Sequence, residues 1–259
     1  MAFSLEENEI DLQKKGRILL IKLVLMDLDN TLLPFQSYWE EANKDVFHSS
    51  HLTKNLDYHK FLSLFKRYDK ELWNLHSQNV ISLDELRQQR LIKTLNDFQI
   101  DITVEESQQY FQEFFQNLLD RIAPDFTLHH LLTSIKSHYE LAILTNGKKS
   151  EQKEKIKRMG LDQIIKPTHI FISEEIGYEK PDPKAFYYVL DKLNKNREEA
   201  IYVGDSWLND IEGSVKAGLK AVWIHPSSTL PDPSYHSKVY ICPSILELEE
   251  VLQTIQIPN

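Results

Sequence analysis

Two carboxylates one residue apart, Asp27 and Asp29, close the apolar run in LVLMDLDNTLLPF, residues 23 to 35. Acids in such a place are costly to bury without a purpose. In an extended strand their side chains would point to opposite faces, so a bend after Asp27 is needed to bring both to one site. Polar clusters recur at the ends of later apolar runs: Thr145 and Asn146 in LAILTNG, and Asp205 and Ser206 in AIYVGDS. Asp210 follows a helical turn later, and Lys180 lies in EKPDP. Gathered at one edge, these carboxylates would repel one another unless a cation sat among them. Oxygen ligands without Cys or His point to Mg2+. A lysine and a hydroxyl beside them suit an anionic substrate group, and the set fits phosphoryl transfer.

The elements that would position these residues can be read from periodicity. Leu23 to Met26 has no polar residue, as a strand buried on both faces of a parallel sheet requires. From 36 to 120 the pattern is helical, with Phe61, Phe65, Tyr68 and Leu72 as one stripe. Ser82 with Glu85, and Thr103 with Glu106, have capping-box spacing. Four or five helices and no strand are expected there, with the aromatic stripes as packing core.

After Pro124 helices and strands alternate. Helices are expected over about 127–137, 148–159, from Asp182–Pro183, over 209–217 and from about Ser244; strands over 141–147, 169–172, 200–206, 221–224 and 240–242. The class is α/β: a doubly wound, Rossmann-like parallel sheet with an inserted all-helical domain. Ligands are expected at the carboxyl ends of the strands. The expected division is a core of 17–34 and 122–259, a helical insert of 35–121 and an N-terminal extension of 1–16. The run KKSEQKEKIKR, 148 to 158, reads as a solvated helix face, with Lys148 and Lys149 at its start facing either substrate or solvent.

The chain has 259 residues, 41% of them hydrophobic, which is ample for a large core. Its net charge is -9 and its pI about 5.6. With no long basic run, a nucleic acid polymer is disfavoured as partner. The one cysteine, Cys242, has no partner for an internal disulfide and reads as a small buried hydrophobe. Residues 1–16 lack a signal-peptide pattern, and Ile18 to Met26, broken by Lys22, is too short to span a bilayer. A soluble, cytoplasmic protein with no membrane role is expected. The ten histidines read as structural or surface groups.

Four segments resemble, in order, the motifs of the haloacid dehalogenase superfamily: DLDNT at 27–31, LTNG at 144–147, Lys180 of EKPDP, and GDSWLND at 204–210. The insert resembles the family's C1-type helical cap. Leu141 to Ile224 resembles the phosphatase branch that contains N-acylneuraminate-9-phosphatase and the pyrimidine 5′-nucleotidases.

The resemblance implies Asp27 as nucleophile, forming an aspartyl-phosphate, and Asp29 as general acid and then base. It implies Mg2+ held by Asp27, the backbone carbonyl of Asp29, and Asp205, and phosphoryl oxygens held by Thr145, the Asn146 backbone and Lys180. Asp210, Thr31 and Ser206 would support them, Asp210 by anchoring Lys180 or a metal-bound water. Dehalogenases lack an acid at the position of Asp29, because a halide leaves without a proton. A Mg2+-dependent phosphatase of a small phosphorylated metabolite, a nucleotide or sugar phosphate, is therefore expected. A mutase of the β-phosphoglucomutase type and a non-catalytic ligand-binding relative are the alternatives.

Overall fold

A computed structural model describes residues 20–78 and 80–256. The N-terminal extension expected over 1–16 lies outside them. The described chain forms two compact units, one of 20–34 with 124–256 and one of Phe35–Ala123.

The first unit is built on six parallel strands: β1 (Leu23–Met26), β2 (Glu140–Thr145), β3 (Ile170–Ile172), β4 (Ala200–Gly204), β5 (Lys220–Ile224) and β6 (Val239–Cys242). Their order is β3-β2-β1-β4-β5-β6. β1 is thus central, and the chain leaves it to one side for β2 and returns on the other for β4. That reversal is the switch point at which open parallel sheets bind ligands. The register sets Met26 beside Ile143 of β2 and Val203 of β4. Residues just past these three strand ends therefore emerge at nearly one level.

Every residue of β1 is buried, as its unbroken apolar run demands. One core cluster joins Leu23, Leu25, Ala142, Leu144 and Tyr202 of the sheet to Phe186, Val189 and Leu190 of the helix Pro183–Lys192. That helix starts as its sequence predicts, with the Asp182 side chain accepting from the amide of Lys184 and Pro183 in the first turn. The helix expected over 209–217 differs: a wide π-type turn covers Trp207–Glu212 and a short α-helix Gly213–Lys216. The wide turn contains Asp210, whose carboxylate accepts from the amide of Ser206 at 2.9 Å. The last helix begins at Leu248, after a 3-10 turn over Ile245–Glu247 capped by Ser244.

The second unit holds four helices, Phe35–Ser49, Tyr58–Ser77, Leu83–Asn96 and Val104–Leu119, and no strand among the described residues. Both capping boxes form, at Ser82 with Glu85 and at Thr103 with Glu106. Phe47, Phe61, Phe65, Leu86, Leu95 and Leu118 are buried within it, so its aromatic stripes are packing surface. No helix among the described residues is long and apolar enough to cross a membrane.

Leu25 lies at 0% exposure on the central strand. Leu25→Ala should lower unfolding free energy by about 2–5 kcal/mol in urea titrations followed by circular dichroism.

Candidate active site

The chain turns sharply where β1 ends. The amide of Asp27 still bonds to the Val203 carbonyl at 2.9 Å, but the amides of Leu32 and Leu33 both return to the carbonyl of Leu28. Asn30 has φ 63°, a left-handed conformation that asparagine tolerates better than most side chains. This is the bend needed after Asp27.

Asp27 is 6% exposed. Its Oδ1 accepts from Lys180 Nζ at 2.6 Å, and its Oδ2 takes no hydrogen bond among the described residues. The same ammonium donates to Asp210 Oδ1 at 2.7 Å and to the Tyr202 hydroxyl at 2.8 Å. Its three protons are thereby matched by three acceptors. Burial opposes the charge on Lys180, but the Asp210 and Asp27 carboxylates outweigh it and hold the ammonium above its ordinary pKa. Burial pushes the Asp27 carboxyl up to about 8; Lys180 pulls it down and Asp210 adds to the rise. Burial, then the Asp210 charge, raises Asp205 to about 6.

Asp210 is fixed on both oxygens, with Oδ1 on Lys180 and Oδ2 on the Ser206 amide. It packs against Gly204, where a Cβ would lie 2.5 Å from its carboxylate, so only glycine lets it this close to β4. Thr31 Oγ1 donates to Asp205 Oδ1 at 3.4 Å. Ser206 Oγ accepts from the amide of Asn209 and caps the turn that carries Asp210. Asn146 grips the backbone of Lys180 from both sides, donating to its carbonyl at 2.8 Å and accepting from its amide at 2.9 Å. Thr145 is buried and accepts from Gln152 Nε2 at 3.0 Å.

Carboxylate oxygens of Asp27, Asp205 and Asp210 lie within 4.8 Å of one another. All are hard donors, and burial has raised two of the three groups, so the cluster fits a hard divalent cation. Because protein donors hold both oxygens of Asp210, the carboxylates best able to face such an ion are Asp27 and Asp205.

Residues 24–224 match the haloacid dehalogenase-like hydrolase family. The chain belongs to that family. It is 29% identical over 244 residues to glyceraldehyde 3-phosphate phosphatase of Pyrococcus furiosus, covering 92% of this chain and 95% of that enzyme. It is 37% identical over 126 residues to mouse N-acylneuraminate-9-phosphatase, covering 48% of this chain and 50% of that enzyme. The magnesium-bound crystal structure of the HAD-hydrolase YfnB from Bacillus subtilis superposes with a TM-score of 0.74 at 24% identity, over 90% of this chain and 99% of that one.

In this hydrolase the structure adds three residues that motif reading missed. Tyr202, in the middle of β4, donates to the Leu144 carbonyl at 3.0 Å and accepts from Lys180. A lone hydroxyl inside the apolar strand AIYVG was its only signal. Gln152 and Lys155 lie on the helix Lys149–Arg158, where the charged run predicts a solvated face. Both are buried and both bond to Asp29. The expectation therefore fails along one side of this helix, because an acid on β1 supplies a partner that helical spacing cannot reveal. Of the two lysines after LTNG, Lys149 pairs with Glu175 at 2.8 Å. Among the histidines, His225 stacks on Trp223 at 4.1 Å and His169 bonds Glu140 at 2.6 Å. Cys242 is buried, and burial pushes its thiol up to about 11.

Tyr202→Phe removes the hydroxyl from Leu144 and Lys180. It should cost about 1–3 kcal/mol of stability, read by urea unfolding, with the overall fold retained in circular dichroism.

Proposed function

We propose that this hydrolase is a Mg2+-dependent phosphatase of a small phosphomonoester, acting through an aspartyl-phosphate on Asp27. One observation carries the reading. Asp27 is a buried carboxyl with Oδ1 on Lys180 and Oδ2 open, and a second acid, Asp29, follows two residues later. A halide leaves without a proton, whereas an alkoxide needs one, so the second acid favours ester hydrolysis over dehalogenation.

In the first step Asp27 Oδ2 bonds to phosphorus and the bond to the leaving oxygen breaks. Asp29 gives that oxygen its proton. Asp29, now a carboxylate, then takes a proton from the water that attacks phosphorus. The bond to Asp27 breaks and inorganic phosphate leaves. Thr145, the Asn146 backbone and Lys180 hold the phosphoryl oxygens. Asp210 and Tyr202 keep the Lys180 ammonium in place, with Thr31 and Ser206 steadying Asp205 and Asp210. Asp27, the backbone carbonyl of Asp29, and Asp205 would hold Mg2+, which supplies charge neutralisation and orientation of the phosphoryl group.

Phosphatases of glyceraldehyde 3-phosphate and N-acylneuraminate 9-phosphate among the relatives support a sugar phosphate or nucleotide as substrate. We assign the helical unit, Phe35–Ala123, the role of cap and of choosing among such esters. The place of action we assign is the cytoplasm.

Phosphate release from a panel of sugar phosphates and nucleoside monophosphates should require Mg2+ and stop with EDTA. Asp27→Asn should lower it roughly 10³-fold or more while leaving the fold intact. An active Asp27→Asn enzyme would sink the mechanism.

Metal binding carries a pH signature. Asp27 and Asp205 have raised pKa values, about 8 and about 6, so the metal-free protein keeps protons that a cation must displace. Affinity therefore grows as pH rises through those values. The rise in Tm on adding Mg2+ should be larger at about pH 8.5 than at about pH 5.5. An equal rise at both would contradict the assigned ligands.

A further inference from the structure

The proton donor of the proposed mechanism is held by residues outside the four motifs. Lys155 Nζ donates to both carboxylate oxygens of Asp29, at 3.0 Å to Oδ1 and 2.8 Å to Oδ2. Gln152 Nε2 donates to Asp29 Oδ2 at 3.0 Å. The two residues are three apart and so share one side of the helix Lys149–Arg158. Gln152 is 2% and Lys155 4% exposed, while Lys153 and Lys157 of the same helix are exposed.

Burying a lysine is costly unless its charge is matched, and bonds to both oxygens of one carboxylate fix that carboxylate's orientation as well as its charge. The Gln152 amide does a second job. Its Nε2 also lies 3.0 Å from Thr145 Oγ1 and 2.7 Å from the Asn146 carbonyl. One amide therefore ties the acid on the β1 loop to the turn after β2. All three neighbours are acceptors, which settles which end of the amide faces them. Its Oε1 is buried without a partner among the described residues, a cost that a side chain held only for packing would not need to bear. Gly147, at φ 131°, leaves the space, since a Cβ there would stand 3.0 Å from Gln152 Nε2.

We propose that Gln152 and Lys155 are positioning residues that clamp the Asp29 carboxyl toward the leaving oxygen. The inference rests on the phosphatase reading above. Asp29 must first take up a proton on one oxygen, which gives up its bond to Lys155; when the ester bond breaks, that proton passes to the leaving oxygen. The Lys155 ammonium then faces the carboxylate left behind, and the clamp keeps it aimed for the water that follows. Gln152 also bonds Thr145 and the Asn146 carbonyl, on the phosphoryl side, so Lys155 carries the part of the clamp that acts on proton transfer alone.

The test uses the leaving group. Wild type, Lys155→Met, Lys155→Arg and Asp27→Asn are assayed with Mg2+ on two esters. One is the alkyl phosphate turned over fastest in the panel above, and the other is p-nitrophenyl phosphate, whose phenolate leaves without a proton. Lys155→Met should lower kcat on the alkyl ester about 10-fold to 100-fold with KM little changed. On p-nitrophenyl phosphate the first-turnover burst of p-nitrophenolate, which reports phosphorylation of Asp27 before any water attacks, should stay within about 3-fold of wild type, and Lys155→Arg should recover part of the alkyl activity.

The p-nitrophenyl rate also reports a folded nucleophile site. If Lys155→Met does not fold, Lys155→Gln carries the same comparison. A p-nitrophenolate burst slowed as much as the alkyl turnover, or no loss on either ester, would overturn the clamp while leaving the phosphatase reading in place. Turnover that survives in Asp27→Asn would overturn that reading and the clamp with it.

Discussion

The site depends on one buried ammonium. Lys180 Nζ is enclosed by Asp27, Asp210 and Tyr202, each within 2.8 Å. Removing such a group from water costs several kcal/mol, and only well-placed opposite charge with every proton bonded offsets it. Each local feature around it meets that requirement. Gly204 has no side chain, so Asp210 can lie against β4. The turn over Trp207–Glu212 and the Ser206 amide aim its carboxylate. Asn146 holds the backbone on which Lys180 stands. β1, β2 and β4 end within two residues of one another in register, so these short side chains can meet. A change at any of them leaves an uncompensated charge in a dry place.

The strands and the three polar clusters at their ends were legible in the sequence because their signals are local. An apolar run that stops at Asp27, Thr145 or Asp205 shows both the strand and its functional end. Capping boxes at Ser82 and Thr103 are legible for the same reason, since both partners sit within one turn. The wide turn at Trp207–Glu212 was not legible, because the carboxylate of Asp210 is drawn to Lys180 and not to a position that helical periodicity foretells. Gln152 and Lys155 were hidden more thoroughly. In KKSEQKEKIKR they look like their neighbours, and only the acid 126 residues away distinguishes Lys155 from the exposed Lys153 and Lys157. Charged residues on a helix are read as solvated by default, and that default fails wherever a distant strand end brings a partner.

Behind Asp205 the sheet supplies a rigid wall. Trp223 of β5 donates its indole N–H to the Asp205 carbonyl at 2.8 Å. Trp207 packs edge-on against Trp223 at 5.1 Å and against Tyr235 at 5.3 Å. The backbone that presents Asp205 is thus held by an aromatic cluster, while Thr31 reaches its side chain with a long bond. A carboxylate on a fixed backbone with few bonds of its own is well suited to take up a ligand.

Formal charge gives the same picture. Among the described residues, two ammonium groups bond to the carboxylates of Asp27, Asp29 and Asp210, those of Lys155 and Lys180, and Asp205 lies beside Asp27 and Asp210. Two negative charges remain in a poorly solvated place. Burial raises Asp27 and Asp205, and the Asp210 charge adds to the rise at both. The two lysines divide the work. Lys180 satisfies Asp27 and Asp210, and Lys155 satisfies Asp29. The unmatched charge thus falls on Asp27 and Asp205, the carboxylates with fewest protein donors. In the proposed mechanism a divalent ion completes the balance there, leaving Asp27 ionised to attack and Asp29, on its own lysine, independently placed for the proton.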